Sequence, residues 1–198
     1  MSLVIVDSGV ANLASVIAAV KRLNVAAEIS SDAGKIRAAS HVILPGVGAA
    51  EAAMAQLEAK GLSDVIRGLT QPVLGICLGM QLLFSHSEEG RGCACLGVIQ
   101  GEVNRLAAKQ DMPIPHMGWN QIKACVPDHP LLRGVKDDSF VYFVHSFAAP
   151  VGGYTLASCD YSETFTAVAG CKNFFGCQFH PERSGSVGSQ ILKNFLDM

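Results

Sequence analysis

Val73-Leu74-Gly75-Ile76-Cys77-Leu78-Gly79-Met80-Gln81-Leu82-Leu83-Phe84 is the stretch around which the rest of the chain must be arranged. Pro72 precedes an apolar run short enough for a buried strand, and beyond Gly79 the spacing of Met80, Leu82, Leu83 and Phe84 predicts a helix packed on its sheet. Cys77 then falls on a strand-to-helix turn. Gly-x-Cys-x-Gly is the thiol counterpart of a serine nucleophile elbow, where small flanking residues let the chain turn sharply and present the reactive atom. Sulfur at a helix N-terminus meets unpaired N–H groups and the positive end of the macrodipole, which favour thiolate and can also hold an oxyanion. The competing reading is a small buried hydrophobe, a common fate of free cysteine; the two glycines and the strand-helix context argue against it.

Working outward, Leu3 to Asp7 reads as a strand, Ser8-Gly9 as a turn and 12–23 as a helix with Leu13, Val16, Ile17 and Val20 on one face. Ala26 to Ser30 is a second strand and His41 to Leu44 a third. Strands apolar on both faces require helices on both sides. The third strand is expected to break at Pro45-Gly46-Val47-Gly48, before a helix from Ala49 to Lys60 capped by Gly61 and a further helix from Leu62 to Leu69. After Phe84 the character changes. The polar segment from Ser85 to Gly92 reads as a loop, and strands are expected at 97–106, 121–124, 140–144, 154–160, 165–169 and 173–179, with an amphipathic helix closing at 187–196. The resulting class is α/β in three layers: a mixed, mostly parallel central sheet with helices on both faces and a β-rich second half, in one domain over residues 1–198.

The 198 residues can bury a full core without disulfides. Only 16% are charged, the net charge is −2 and mean hydropathy is +0.32, a balance that excludes a nucleic-acid binder and leaves apolar surface for a partner. Apolar stretches are too short to span a bilayer, and the first residues lack a basic leader, so a cytoplasmic protein is expected. Seven cysteines, an odd number, read as reduced thiols. Cys93-Ala94-Cys95 has no second closely spaced pair to complete a zinc site, so no metal is expected, and no cofactor motif appears. Cys159, Cys171 and Cys177 read as packing residues.

A cysteine nucleophile needs a base and a group that orients the base. His180-Pro181-Glu182 follows the apolar strand Phe174 to Phe179, and in an extended chain positions 180 and 182 point to one side. Glu182 can then accept from one imidazole nitrogen and leave the other for sulfur. His41 and His129 read as structural or solvated, and His86 lies in a loop. His145, with Ser146 beside it, closes the aromatic strand Phe140 to Val144 and is a candidate for the same pocket as His180. Pro45-Gly46-Val47-Gly48 also follows an apolar strand, at the sheet edge where α/β folds bind ligands. Its backbone can approach an oxyanion together with the N–H of Leu78.

Together, Pro45-Gly46-Val47-Gly48, Gly75 to Gln81 and His180-Pro181-Glu182 resemble the signature of the class I (triad) glutamine amidotransferases, a flavodoxin-like fold. His116-Met117-Gly118-Trp119-Asn120, Tyr142 to Phe147 and Glu182-Arg183-Ser184-Gly185 are similar to the glutaminase subunits of imidazole glycerol phosphate synthases of histidine biosynthesis. The resemblance implies that Cys77 attacks the carboxamide of L-glutamine, that His180 moves the proton and that Glu182 orients His180. It implies an oxyanion hole at Val47, Gly48 and Leu78, and glutamine-binding positions at Gly46, Gly48, Gln81, Glu89, His145, Ser146 and Phe147. It implies no cofactor. Ammonia would pass to a (β/α)8 cyclase subunit docked at Asn12, Trp119, Tyr142 and Arg183, with Trp119 an exposed anchor in a polar turn. The chain departs from the pattern at Phe147, where tyrosine is usual, and in the loop from Arg91 to Cys95. The same elbow would also suit a glutaminase feeding another synthase or a non-catalytic subunit, and Cys93 with Cys95 leaves open a redox or metal protein.

Overall fold

The computed structural model describes residues 1–9, 13–126 and 128–198. The first half alternates strictly: Leu3–Val6 (β1), Leu13–Arg22 (α1), Ala27–Ser30 (β2), Ala33–Ala38 (α2), His41–Gly46 (β3), Ala50–Ala59 (α3), Leu62–Arg67 (α4), Val73–Cys77 (β4) and Leu78–Gln81 (α5). The second half is nearly all strand: Phe84–Ser87 (β5), Cys93–Ala94 (β6), Ile99–Arg105 (β7), His116–Ala124 (β8), Ser139–His145 (β9), Phe147–Ala148 (β10), Thr155–Asp160 (β11), Thr164–Cys171 (β12) and Phe174–Cys177 (β13). Gly185–Leu196 (α6) closes the chain.

A nine-stranded sheet runs in the order β2-β1-β3-β4-β13-β12-β11-β8-β9, and a four-stranded sheet in the order β10-β7-β5-β6. Pairing is parallel from β2 across to β13 and antiparallel from β13 to β9. The sheet is therefore mixed, and its parallel half carries the elbow. Period-two alternation splits each parallel strand between two cores. Leu3, Ile5, Ile43, Leu74 and Ile76 join Val16 and Val20 of α1 and Ile191 and Phe195 of α6. Val4, Val6, Val42, Leu44 and Val73 join Ile36, Leu57 and Ile66 of α2, α3 and α4, and Phe84, Ile99 and Val103 of the smaller sheet. Each such side chain contributes ~1.5–3 kcal/mol on burial, so the central strands are held from both faces.

Gly61, with φ +63°, ends α3 and turns the chain into α4, the left-handed cap expected of it. Three expectations need correction. The helix after Gly79 is one turn, and Phe84 opens β5 rather than closing a helix; Leu82, Leu83 and Phe84 are all buried, and a run without a polar face does not distinguish helix from strand. β3 continues through Pro45 and Gly46, because its pairing with β1 ends at Ile43 and beyond that point β4 alone is its neighbour, so the missing proline N–H breaks no ladder. β8 begins at His116, which places Trp119 in mid-strand opposite Tyr142 rather than in a turn.

Candidate active site

β4 ends on Cys77, whose backbone has φ +52° and ψ −112°, strain of ~1–3 kcal/mol for a residue with a side chain. What holds it there is the close approach of α5 to β3 and β4. A Cβ on Gly79 would lie 1.8 Å from the Leu44 carbonyl oxygen, and one on Gly75 would lie 2.6 Å from the Gly79 carbonyl. Gly46 serves the same packing, its Cβ position being 2.6 Å from the Gly79 nitrogen. It is buried in β3 and is not among the residues that line the cavity described below. Cys77 itself is 9% exposed: the sulfur reaches a cavity wall rather than open solvent.

β13 runs parallel to β4, with Cys177 opposite Ile76, so the two strands finish together and the chain beyond β13 emerges beside the elbow. His180 Nδ1 lies 2.8 Å from Glu182 Oε1, and the Glu182 side chain is 4% exposed. The pair meets across a 3-10 turn, Pro181–Arg183, and not along an extended segment; proline at the first turn position and the Ser184 hydroxyl donating to the His180 carbonyl at 2.7 Å set this geometry. Burial alone would lower the His180 pKa. The nearby Cys77 sulfur and the hydrogen-bonded Glu182 carboxylate both favour the charged ring, outweigh burial and push it up to about 10. The ring is thus a strong proton holder poised between nucleophile and carboxylate.

The cavity, ≈ 340 Å³, is sized for a small polar metabolite. Cys77 and His180 reach it together with Val47, Gly48, Leu78, Gln81, Glu89, His145, Ser146 and Phe147. Pro115 and Val144 complete the wall without having been expected from sequence. Gly48 has φ +90° and open space on its Cβ side, and Val47 is exposed. Glu89 Oε2 accepts the Ala50 N–H at 2.7 Å, tying the carboxylate to the start of α3.

Beneath this wall the polar groups form a directed chain. The Phe147 carbonyl can only accept, so His145 Nδ1 donates to it at 2.9 Å. His145 is 6% exposed and burial drives its pKa down to about 3, so the ring is neutral and its Nε2 accepts from His116 Nδ1 at 3.0 Å. Burial likewise lowers His116 to about 4; its Nε2 takes Asn120 Nδ2 at 3.3 Å. Stacking between Tyr161 and Phe143 fixes the His116 ring. On the other side of Phe147, Gln81 Nε2 donates to the same carbonyl at 2.8 Å and to Gln178 Oε1 at 3.0 Å. Gln178 was not singled out from sequence, although a lone glutamine in the apolar run Phe174 to Phe179 signals a buried polar group that must find partners.

Of the expected docking positions, Trp119 is 55% exposed, Tyr142 is half-buried with its ring 6.0 Å from the Trp119 ring, and Arg183 is exposed. Asn12 lies outside the described residues. His41 is buried against Phe195, His129 caps a 3-10 turn by accepting the Leu131 N–H, and His86 lies on β5 rather than in a loop. Cys159 and Cys177 are buried in β11 and β13; Cys171 is half-buried at the end of β12. The Cys93 and Cys95 sulfurs are 4.0 Å apart, and burial raises both thiols, Cys95 to about 12. Among the described residues no three His, Cys, Asp or Glu side chains converge as a metal site, and no helix is long and apolar enough to cross a membrane.

A cysteine elbow, a carboxylate-paired histidine and a glycine loop at one edge of a mixed sheet define a cysteine amidohydrolase of the triad type. The chain belongs to the class-I glutamine amidotransferase family, whose model matches residues 4–198. It is 50% identical over 204 residues to the imidazole glycerol phosphate synthase subunit HisH of Shewanella loihica, covering 98% of this chain and 90% of that one. It is 50% identical over 198 residues to the subunit of the same name from Yersinia pseudotuberculosis, covering all of both. Among solved structures, a glutamine amidotransferase at 18% identity superposes with a TM-score of 0.75 over 98% of this chain and 97% of the other, a likeness of fold.

Proposed function

We propose that this chain, a single amidotransferase domain over residues 1–198, is the glutaminase subunit of imidazole glycerol phosphate synthase, hydrolysing L-glutamine to glutamate and ammonia in the cytoplasm. The observation that carries the reading is the His180–Glu182 pair at 2.8 Å, with His180 and Cys77 together on the wall of a small polar cavity. Cys77 sulfur attacks the side-chain carboxamide carbon, and His180 delivers its proton to the nitrogen as the C–N bond breaks and ammonia leaves. Water then adds to the γ-glutamyl thioester, with His180 taking its proton, and the C–S bond breaks to release glutamate and restore the thiol. Glu182 keeps the ring in the tautomer that faces sulfur.

The negative oxygen of each tetrahedral intermediate falls to the Leu78 N–H and the Val47–Gly48 peptide. Gln81 has both amide hydrogens engaged by Phe147 and Gln178, so its carbonyl oxygen is left to accept from substrate. Glu89, at the cavity wall, offers negative charge to the substrate α-ammonium. His145, Ser146 and Phe147 close the pocket around the substrate.

The ammonia goes to a (β/α)8 cyclase subunit bound as a heterodimer against Trp119, Tyr142 and Arg183. Trp119 is the kind of large exposed aromatic that anchors an interface. Val47 and Gly48 are exposed, with open space on the Cβ side of Gly48, so partner docking can turn their peptide into the oxyanion hole and switch on an otherwise quiet site. The test is glutamate release by the purified chain, alone and with the cyclase, with and without its nucleotide substrate. A large rise with partner and nucleotide is expected, abolished in Cys77→Ala. Full activity alone and unmoved by the cyclase would replace the synthase reading with an independent glutaminase; retained activity in Cys77→Ala would remove the nucleophile.

A further inference from the structure

Gln178 is fully buried, on the segment between β13 and His180. Its backbone N–H donates to Ala167 at 2.9 Å, which fixes where the side chain starts. The orientation of its amide follows from groups that have no choice. The Phe147 carbonyl can only accept, so the Gln81 group facing it is the NH2; that NH2 also faces Gln178, so the Gln178 atom there is the oxygen, at 3.0 Å. The Gln178 NH2 is thereby turned to the Cys77 sulfur, 3.9 Å away.

Resting on Cys77 as the nucleophile, we propose that Gln178 is a positioning residue for it: a buried amide donor that favours the thiolate over the thiol. The opposing group is the Val144 carbonyl, which accepts from the Cys77 S–H at 3.8 Å and so favours the protonated form. A donor held in a dry site interacts more strongly with an ion than with a neutral acceptor, so the Gln178 amide gains most when sulfur is charged. The other ionisable groups facing the sulfur are His180, with Glu182 behind it, the neutral His145 and, across the cavity, Glu89. Of these only His180 also favours the thiolate directly. Gln178 adds a second donor that carries no proton to lose, and it links the nucleophile to Gln81, whose carbonyl faces the substrate.

The proposal is tested by site-resolved alkylation of the full chain with iodoacetamide across pH, the Cys77 peptide being quantified by mass spectrometry and the exposed Cys125 serving as internal reference. In Gln178→Leu the Cys77 midpoint should move up by about one pH unit, ~1.4 kcal/mol, with about tenfold slower alkylation at neutral pH and no change at Cys125. Gln178→Glu, which offers oxygen to the sulfur, should move it further in the same direction. In the unaltered chain, the Gln178 side-chain amide protons should shift in NMR spectra as Cys77 titrates, and should not in Cys77→Ala. Unmoved Cys77 midpoints in folded variants, or amide protons indifferent to the thiol, would overturn the proposal. Failure of the underlying reading would look different: complete alkylation of Cys77 with glutamine-dependent activity intact.

Discussion

Acid should unfold this protein through two rings that the native state keeps neutral. His116 and His145 are 3% and 6% exposed, and burial holds their pKa values at about 4 and about 3. An unfolded histidine titrates near 6.5. Because the folded values lie below the unfolded one, the unfolded chain binds protons that the native chain refuses. The stability is fully present above about pH 6.5 and is lost as pH falls towards 4 and then 3, at ~1.4 kcal/mol per unit for each ring. At pH 4.5 each ring has cost ~2.5–3 kcal/mol, about 5 for the pair, set against a total of ~5–15 for a typical domain. Urea unfolding at pH 7.5 and 4.5 isolates the contribution when the native chain is compared with His145→Gln. A glutamine carbonyl at 145 can accept the His116 N–H that His145 Nε2 now accepts, leaving that ring buried and neutral, so the stability advantage of the native chain should shrink by ~2.5–3 kcal/mol between the two pH values. Parallel losses in the two proteins, or an NMR titration of the His145 ring near 6.5, would refute the reasoning.

Glu182→Gln removes the charge that helps hold His180 at about 10 and puts an amide where Glu182 Oε2 has no partner among the described residues; kcat for glutamine hydrolysis should fall ~10²-fold and the alkaline limb of its pH profile should move to lower pH. Gly79→Ala drives a methyl to within 1.8 Å of the Leu44 carbonyl, so the elbow must open; a loss of at least ~3 kcal/mol is expected, read as a melting temperature lower by ~6–12 °C. Trp119→Ala should leave the melting temperature unchanged and weaken binding of the cyclase subunit ~10–100-fold by calorimetry, since the ring is exposed in mid-strand and packs only edgewise on Tyr142.

The elbow and its histidine were legible in the sequence because each announces itself locally: glycines two residues either side of a cysteine, and a proline that stops a strand just after a histidine. What was not legible depends on neighbours. The length of β8 is hidden because Gly118, Asn120 and Gln121 interrupt the alternation, yet seven successive pairs with β9 hold it as strand. The single turn of α5 is set by glycine packing against β3, which no period in 80–84 encodes. Gly46 reads as a loop residue, and only the structure shows it in β3, packed against Gly79. Gln178 carried a readable signal, an amide inside an apolar run, but its two partners lie 97 and 101 residues away.

Sheet order explains why segments so far apart in sequence meet. Parallel pairing of β3, β4 and β13 aligns their carboxyl ends, so the loop at 47–48, the elbow at 77–81 and the segment 178–182 leave one edge together. The antiparallel half reaches the same place by another route, since His180 N–H donates to the Tyr142 carbonyl at 2.9 Å and thereby docks β9 beside the triad. One short strand thus has two duties. Tyr142 faces Trp119 across the β8–β9 ladder, while two residues further on the Val144 carbonyl accepts from the Cys77 S–H and His145 anchors the Phe147 wall. The Trp119–Tyr142 pair and the Val144 carbonyl thus lie on one hydrogen-bonded ladder, two residues apart along β9. In the proposed complex, a shift of β9 that moved the Val144 carbonyl away from sulfur would leave the Gln178 donor unopposed.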